Sequence, residues 1–417
     1  MDFYKIASKN IRYNLQNLPH LVFEVTDRCN LNCKYCAYSE LYRKYGTREG
    51  KNISFTRAKL IIDYLYDLWK DDYSDGSNRE LSIGFYGGEP LINIPFIKQA
   101  IEYLEGLEFV KIGRICSYSM TTNATLLDQY MDYLVEKDFR LLISLDGDEF
   151  AQSYRIDHSG NNSFERVFSN IKLLQEKYPE YFKNNINFIS VLHNRNEVES
   201  IYKFIRYQFD KMPIISPLNE VGICLEKKEE FNILYRNPAE SFFGSSNCEV
   251  IESEMFMNTP RVARLADFFL YQSGNNYYNY NELYIDKNIS LLSTGTCMPF
   301  SKKMFVTVNG EILLCERINR QFSLGHVHED RVELNEEYIA ERHNYYETKY
   351  VKQCANCAYN TFCPLCVYQD DNICKEDTCC PNFLNEDLTK RNKDVFKFME
   401  ENPQYYRRIL EEVKISR

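Results

Sequence analysis

The sequence predicts an α/β protein, in which a partial (β/α)6 TIM-like barrel precedes a smaller, cysteine-rich domain. The chain has 417 residues, more than one compact core usually organises. Short apolar runs alternate with helical patterns up to residue 224, which is typical of parallel strands joined by helices. Nine of the fifteen cysteines fall between residues 297 and 380, which indicates a separate metal-binding region.

Six apolar runs are predicted to be the strands of the barrel. They cover residues 21–26, 81–86, 117–122, 141–146, 186–192 and 215–224. The clearest helix has one apolar stripe at helical spacing, formed by Ile61, Tyr64, Leu65, Leu68 and Trp69. Residues 164–174 repeat that pattern. Functional residues of such barrels lie at the carboxyl ends of the strands, so the residues after each run are the candidates.

Composition excludes several classes of protein. The net charge of −10 and the pI near 5.4 argue against a general nucleic-acid binder, which needs a basic surface. No stretch approaches the roughly 18 apolar residues of a membrane span, and residues 1–16 lack the apolar core of a signal peptide. We therefore expect a cytoplasmic protein, whose fifteen cysteines serve metal or redox chemistry.

Three cysteines follow the first predicted strand at C-x3-C-x2-C spacing: Cys29, Cys33 and Cys36. Thiolates this close on one loop can each bind a different iron of a four-iron cubane cluster, which leaves one iron without a protein ligand. The alternative is a structural zinc site, but zinc wants four ligands at closed tetrahedral spacing. The trio has neither a nearby fourth cysteine nor a histidine.

Small and polar residues follow the next strands. Gly87 and Gly88 would let backbone approach a ligand closely, and Glu89 could accept hydrogen bonds from an ammonium group. Asn123, after the third strand, could bond to a ribose or to backbone. After the fourth strand, the hydroxyl of Ser144 and the guanidinium of Arg155 suit a carboxylate. Each motif alone is also compatible with an ordinary turn or cap.

The cysteine spacing and the order of these strand-end motifs resemble the radical SAM superfamily. The resemblance implies that S-adenosylmethionine binds the open iron of a [4Fe-4S] cluster and is split to release a 5′-deoxyadenosyl radical. It implies that residues 87–89 bind the methionine amine and that Ser144 and Arg155 bind the carboxylate. Backbone near Leu192, at the end of the fifth strand, would meet the adenine, with Tyr35 packed beside it.

The second cysteine group has two interpretations. Cys297, Gly310 and Cys315 follow C-x12-G-x4-C, and the segment between them reads as a hairpin with an Asn-Gly turn. A C-x2-C-x5-C-x2-C group follows, then three further cysteines: Cys354, Cys357, Cys363 and Cys366, then Cys374, Cys379 and Cys380. A two-zinc ribbon would explain this spacing. Downstream of the first motif, it resembles the SPASM domain, which carries two auxiliary [4Fe-4S] clusters.

By that resemblance, the ligands divide into two sets. One cluster would use Cys354, Cys357, Cys363 and one of Cys379 or Cys380; the other would use Cys297, Cys315 and Cys366. Sulfatase-maturating members have a cysteine where this chain has Lys303. The second cluster therefore either keeps an open iron, which could position a substrate thiolate, or recruits Cys374. Glu316 stands where those members have an aspartate that accepts a proton, so it is either a catalytic base or a solvated strand-end residue.

The predicted domains are residues 1–224, the radical SAM barrel; 225–296, a bridging region with a helix near 260–271; 297–380, the SPASM-like region; and 381–417, two C-terminal helices. The first hypothesis for function is a maturase that forms a thioether or carbon–carbon cross-link in a ribosomally made precursor peptide. An anaerobic sulfatase-maturating enzyme is the alternative enzyme, and a non-catalytic zinc-ribbon binding protein is the alternative of another class.

A maturase of this kind implies partners. One is a precursor peptide with a leader, and another is an electron donor of the flavodoxin or ferredoxin type. About twenty residues precede the first strand, so we expect no fused leader-binding domain there. The leader would dock elsewhere on the chain or on a separate leader-binding protein.

Overall fold

A computed structural model describes residues 5–42, 48–72, 79–220, 222–256, 259, 294–357, 365–370, 373–374, 380 and a few positions between 393 and 408. The strands in these residues form one sheet, in the order β10-β9-β8-β7-β1-β2-β3-β4-β5-β6. They are β1 (His20–Thr26), β2 (Arg79–Gly87), β3 (Arg114–Thr122), β4 (Arg140–Ser144), β5 (Ile186–Leu192), β6 (Pro213–Pro217), β7 (Met304–Val306), β8 (Glu311–Leu313), β9 (Gly325–Val327) and β10 (Val332–Leu334).

Strands β1 to β6 are parallel and lie side by side in chain order, which confirms the predicted fold class. The first five predicted strands agree with the observed ones within a few residues, and β5 agrees at both ends. The sixth is shorter than predicted, because β6 ends at Pro217 and Gly222 adopts a positive φ of 80°. Ile223 makes only an isolated bridge, to Tyr42.

Helices connect the parallel strands and cover one face of the sheet. Those in the described residues are α1 (Ser8–Gln16), α2 (Phe55–Asp72), α3 (Ile94–Glu105), α4 (Leu127–Glu136), α5 (Glu149–Gln152), α6 (Phe164–Lys177), α7 (Pro179–Asn185), α8 (Val198–Phe209), α9 (Lys228–Leu234), α10 (Pro238–Phe243), α11 (Cys248–Glu254), α12 (Glu336–Thr348) and α13 (Val351–Cys354). The predicted stripe of α2 is confirmed, since Ile61, Leu65 and Trp69 are buried in the core.

The two faces of the sheet differ in chemistry because side chains alternate along a strand. Leu21, Phe23 and Val25 of β1 face the helices and are fully buried, and the Phe23 ring lies 6.1 Å from that of Phe96 on α3. The opposite face, here called the inner face, is polar and partly exposed. Ser82 and Ser119 on it lie with their Oγ atoms 3.3 Å apart. A partly open polar face is what a substrate needs.

The cysteine-rich region continues the same sheet. β7 pairs in parallel with β1, and β8, β9 and β10 follow it as antiparallel strands. The predicted hairpin is confirmed: the Gly310 N–H donates to the Thr307 carbonyl at 2.9 Å, and Gly310 has φ of 92°. β1 is therefore paired with the barrel on one side and with the cysteine-rich region on the other.

Some predictions fall outside the described residues. They concern the helix near 260–271 and most of the two C-terminal helices in 381–417. In the part of the chain that the structure describes, no helix combines the length and apolarity needed to cross a bilayer.

Candidate functional site

The first cysteine trio lies at the carboxyl end of β1, on a segment called here the cysteine loop (residues 29–36). The three residues are each partly exposed. Hydrogen-bond donors face two of the sulfurs: Cys29 Sγ accepts from Leu31 N–H at 3.4 Å, and Cys36 Sγ accepts from Arg48 Nη2 at 3.1 Å. Such donors stabilise negative charge on sulfur, which is the state in which cysteine binds metal.

The donor set of the cysteine loop fits an iron–sulfur cube. Burial raises the pKa of Cys33 to about 12, the Arg155 charge opposes that rise, and Cys36 and Cys29 add to it. Neighbouring thiolates repel one another, so iron is needed to keep all three deprotonated. No group of three or more metal-binding side chains surrounds a single ion within the described ranges. A cube binds each of its cysteine ligands to a different iron, so three thiolates on one loop can serve it without surrounding one ion.

The paired glycines at the end of β2 contact the backbone just before the cysteine loop. Gly88 N–H donates to the Thr26 carbonyl at 2.8 Å, and Glu89 N–H donates to the Arg28 carbonyl at 2.9 Å. A Cβ at position 88 would lie 2.0 Å from the Arg28 carbonyl oxygen, and Gly87 has φ of 135°. Neighbouring backbone therefore leaves no room for side chains at positions 87 and 88. The sequence predicted that a ligand would approach these glycines closely; here the protein's own backbone does so.

Glu89 anchors the loop after β3. Its fully buried carboxylate accepts from Asn123 N–H at 2.7 Å, Thr122 Oγ1 at 2.7 Å and Leu91 N–H at 3.2 Å. Burial raises the pKa of Glu89 to about 7, although the three hydrogen bonds oppose that rise. Both oxygens thus serve the protein itself, and a ligand ammonium group would meet a carboxylate that already has three donors.

Asn123 lies directly beside the cysteine loop. Its Nδ2 donates to Asn30 Oδ1 at 2.9 Å and lies 3.8 Å from Cys29 Sγ. Its Oδ1 accepts from Thr125 N–H at 3.0 Å and from Thr125 Oγ1 at 2.6 Å. The residue expected to bond to a ribose or to backbone therefore also positions the first cysteine.

Arg155 forms a buried ion pair that the sequence did not predict. Its Nε and Nη2 each lie 3.0 Å from a carboxylate oxygen of Asp146, which is fully buried. Asp146 also accepts from Val191 N–H at 2.9 Å and from the Tyr35 hydroxyl. Two nitrogen donors of Arg155 thus bind Asp146. The sequence predicted instead that Arg155, together with Ser144, binds a cofactor carboxylate. The sequence feature that could have indicated a role for Asp146 is its position two residues after Ser144, the last residue of β4.

Tyr35 joins this ion pair to the end of β5. Its ring stacks on His193 at 5.6 Å, and the guanidinium carbon of Arg155 lies 5.4 Å from the ring centroid. His193 Nε2 lies 3.7 Å from Asp146 Oδ2. Leu192, just before His193, is fully buried. The cysteine loop, β4 and β5 are therefore held together through Tyr35, whose neighbour along the chain is Cys36.

Three cysteines of the second group lie close together. Burial raises the pKa of Cys315 to about 12, with a further rise from Cys297. Burial also raises the pKa of Cys366 above its ordinary value, and both Cys315 and Cys297 add to that rise. Two contacts agree with this proximity. Val367 N–H donates to Thr296 Oγ1 at 2.9 Å, which places the residue after Cys366 beside the residue before Cys297. Lys303 Nζ lies 3.0 Å from Oε2 of Glu316, the residue after Cys315.

The remaining cysteines are described in part. Cys354 ends α13 and is buried, and Cys357 N–H donates to its carbonyl at 3.1 Å. Cys380 N–H donates to Gln353 Oε1 at 2.7 Å, which brings Cys380 near Cys354. Cys374 is exposed. Cys363 and Cys379 lie outside the described residues.

Glu316 is held by a lysine. Lys303 Nζ lies 3.0 Å from Glu316 Oε2 and 3.4 Å from Oε1, and both side chains are partly buried. Burial would raise the pKa of Glu316, but the charges of Lys303 and Arg317 together with hydrogen bonds to the carboxylate lower the net pKa. The two positions at which this chain departs from the sulfatase-maturating pattern therefore contact each other, next to Cys315.

Comparison with known proteins agrees with this geometry. The profile of the radical SAM superfamily matches residues 23–205, and that of the SPASM iron–sulfur cluster-binding domain matches residues 297–358. A cysteine-type anaerobic sulfatase-maturating enzyme of Clostridium novyi is 28% identical over 49% of this chain and 54% of its own. The radical SAM cyclopropyl synthase TigE of Paramaledivibacter caminithermalis is 28% identical over 50% of this chain and 41% of its own. The chain thus spans about half the length of these curated relatives.

A solved structure shares the fold. Native anSMEcpe with bound AdoMet superposes with a TM-score of 0.61 at 18% identity and covers 94% of this chain and 98% of that one. The same protein with bound AdoMet and the Cp18Cys peptide gives a TM-score of 0.60. The two profiles together span more than half of the chain and favour iron–sulfur clusters over zinc in both cysteine groups. The chain therefore has a radical SAM domain in residues 23–205 and a SPASM domain in residues 297–358: it is a radical SAM enzyme whose cofactors are S-adenosylmethionine and iron–sulfur clusters.

Proposed function

We propose that the chain is a peptide maturase, which takes a hydrogen atom from a residue of a ribosomally made precursor and then forms a thioether or carbon–carbon cross-link. When bound, S-adenosylmethionine and the reduced cluster supply the 5′-deoxyadenosyl radical for that abstraction. The relatives that support a peptide substrate are the sulfatase-maturating enzymes, and TigE supports a radical SAM activity other than formylglycine formation.

In this proposal, the cysteine loop holds the radical SAM cluster through Cys29, Cys33 and Cys36. The donors at Leu31 N–H and Arg48 Nη2 stabilise the charge on its sulfurs. Asp146, paired with Arg155, contacts the loop through Tyr35, and the turn at Gly88 contacts the backbone before it, so both would fix its position. The inner face of the sheet, which is polar and partly exposed, would receive the peptide.

The auxiliary clusters would use the ligands that the resemblance implies. Cys297, Cys315 and Cys366 would hold one cluster. The other would be held by Cys354, Cys357, Cys363 and one of Cys379 or Cys380; the position of Cys380 beside Gln353 favours Cys380. A low-potential donor of the flavodoxin or ferredoxin type would reduce the enzyme.

The observation that carries this proposal is the contact between Lys303 and Glu316. A lysine at position 303 replaces the cysteine of the sulfatase-maturating pattern, and its ammonium group neutralises the residue that replaces the aspartate. The proposed cluster at Cys315 would therefore have one cysteine ligand fewer than in the sulfatase-maturating enzymes. The carboxylate beside it would also be paired with a positive charge. Different chemistry at the bound peptide is the simplest consequence.

Formylglycine formation is the second candidate. It is supported by the fold shared with anSMEcpe over 94% of the chain and by the identity to the Clostridium novyi enzyme. The two candidates predict different products from a cysteine residue. A cross-link removes two hydrogens and keeps the sulfur: one hydrogen atom would leave on 5′-deoxyadenosine, and the other as a proton whose electron would pass to an iron–sulfur cluster. Formylglycine formation needs the same oxidation but then exchanges the sulfur, lost as hydrogen sulfide, for the oxygen of water and leaves an aldehyde.

The test uses the full chain, purified and reconstituted without oxygen. It is incubated with S-adenosylmethionine, dithionite and either a precursor peptide encoded beside it or a sulfatase-derived cysteine peptide. Mass spectrometry should show loss of two hydrogens from the precursor, no aldehyde trapped by hydrazide, and no product with Cys29→Ala. An aldehyde product from the sulfatase peptide and an unchanged precursor would establish the second candidate instead. About twelve irons per chain are expected for three cubanes.

A further inference from the structure

We propose that His20, together with the Lys303–Glu316 pair, forms a subsite on the inner face, in which His20 Nε2 accepts a hydrogen bond from the thiol of the reacting cysteine of the peptide. This inference rests on the proposed function, since it assigns the group that binds one part of that substrate. It concerns a residue that no sequence motif singled out.

The position of His20 suggests this role. It is the first residue of β1, and its neighbour Leu21 pairs with Ile83 of β2 on one side and with Met304 of β7 on the other. Because side chains alternate along β1, His20 shares the inner face with Glu24, while Leu21 faces the helices. The imidazole thus lies where the barrel and the cysteine-rich region meet.

The Nε2 atom of His20 is buried and has no hydrogen-bond partner among the residues that the structure describes. Buried polar atoms nearly always have a partner, so this nitrogen calls for one. The imidazole ring of His20 lies in the space that Gly84 of β2 leaves open because it has no side chain. A Cβ at Gly84 would lie 2.6 Å from His20 Nε2, so any larger residue at 84 would displace the ring.

Charges near the ring suit a thiol donor. Burial lowers the pKa of His20 to about 4, with Lys303 lowering it further and Glu316 opposing that effect. The imidazole is therefore neutral near pH 7 and can accept a hydrogen bond. Lys303 and Glu316 neutralise each other at 3.0 Å, so the group without a partner in this cluster is the imidazole nitrogen.

The experiment is a double-mutant cycle on peptide binding. The full reconstituted enzyme, wild type or His20→Leu, is titrated anaerobically with the fluorescein-labelled precursor peptide or with the same peptide whose reacting cysteine is alanine. We expect His20→Leu to weaken binding of the cysteine peptide about fivefold to tenfold and to leave the alanine peptide unchanged. His20→Gln, which keeps an acceptor, should recover part of the loss. Gly84→Ala should weaken the cysteine peptide selectively as well.

His326→Leu is the matched control, since His326 Nδ1 is also buried without a partner in the described residues but lies on β9. It should change neither affinity. If His20→Leu weakens binding of both peptides equally, or of neither, the assignment of His20 is overturned. The maturase function is tested separately, by whether the wild-type enzyme still forms product. A changed iron content or cluster EPR signal of His20→Leu without peptide would also overturn it, because His20 would then serve the cluster.

Discussion

At the scale of single residues, Asp146 connects the most separate parts of the site. Its buried carboxylate binds Arg155 through two 3.0 Å contacts and accepts from the Tyr35 hydroxyl and from Val191 N–H. Tyr35 in turn precedes Cys36 of the cysteine loop. One carboxylate therefore couples the end of β4, the end of β5 and the loop that would hold the cluster.

Replacing Asp146 by Asn should destabilise the protein by about 3–5 kcal/mol, because it leaves the Arg155 guanidinium buried without its counter-charge. Urea unfolding of the cluster-free protein, followed by circular dichroism, measures the change. The matched control is Asp128→Asn, which breaks the more exposed pair with Arg166 and should cost less than about 1 kcal/mol. Similar losses of unfolding free energy in both variants would contradict the expectation that the buried pair contributes more than the exposed pair.

The same variant has an expected pH dependence. Burial would raise the pKa of Asp146, but the Arg155 charge, the neighbouring His193 and the hydrogen bonds from Arg155 lower it to about 2, below its ordinary value of 3.8. A carboxyl with a lowered pKa stabilises the folded state above its unfolded pKa and loses that effect as pH falls. The stability difference between wild type and Asp146→Asn should therefore be constant above about pH 4 and shrink towards pH 2.

Sequence reasoning found the right strand ends but not the partners of their side chains. It placed Glu89, Asn123 and Arg155 at the carboxyl ends of the strands, where they lie. It did not identify Asp146 as the partner of Arg155, because a pairing with residues 35, 155 and 191 depends on how distant segments pack. The contact of Lys303 with Glu316 was hidden for the same reason, although both residues had been singled out.

At the scale of elements, the turn after β2 determines the position of the cysteine loop. Gly88 N–H and Glu89 N–H bond to the carbonyls of Thr26 and Arg28, and the space for a side chain at 88 is filled by the Arg28 carbonyl at 2.0 Å. Two backbone segments thus pack directly against each other. The conformation of one cannot change without the other.

Gly88→Ala should therefore displace the cysteine loop and lower iron incorporation, with a loss of about 1–3 kcal/mol in stability from overpacking. Iron content and the visible absorbance of the reconstituted protein measure the effect. Gly106→Ala is the control, since Gly106 follows α3 with an ordinary φ of −73° and a Cβ there would lie 3.3 Å from the nearest backbone oxygen. Full iron loading of Gly88→Ala would contradict this account of the turn.

Element boundaries could be predicted where an apolar run ends at a turn. β5 agrees at both ends, and α2 has the predicted buried stripe. The parallel pairing of β1 with β7 could not be predicted, because residues 21 and 304 pair without any local pattern that marks them as neighbours. The sixth strand was predicted too long, because the apolar residues near 223 pack against Tyr42 instead of continuing the sheet.

At the scale of the whole molecule, β1 links the two cysteine-rich sites. The cysteine loop follows its carboxyl end, and His20 with Lys303 lies at its amino end, roughly 20 Å away along seven residues of strand. Between them, the buried carboxylate of Glu24 accepts from Val308 N–H at 3.0 Å and pairs with Arg320 Nη2 at 3.2 Å. The inner face thus has the cysteine loop at one end and Cys315 near the other.

This arrangement depends on one central claim, that Cys29, Cys33 and Cys36 hold a cluster at which S-adenosylmethionine is cleaved. The most direct test is the rate at which the reconstituted Cys33→Ala variant forms 5′-deoxyadenosine from S-adenosylmethionine and dithionite, measured by liquid chromatography. The account predicts that the variant forms none above background, whereas Cys116→Ala, outside both cysteine groups, keeps the wild-type rate. Formation of 5′-deoxyadenosine by Cys33→Ala at the wild-type rate would contradict it.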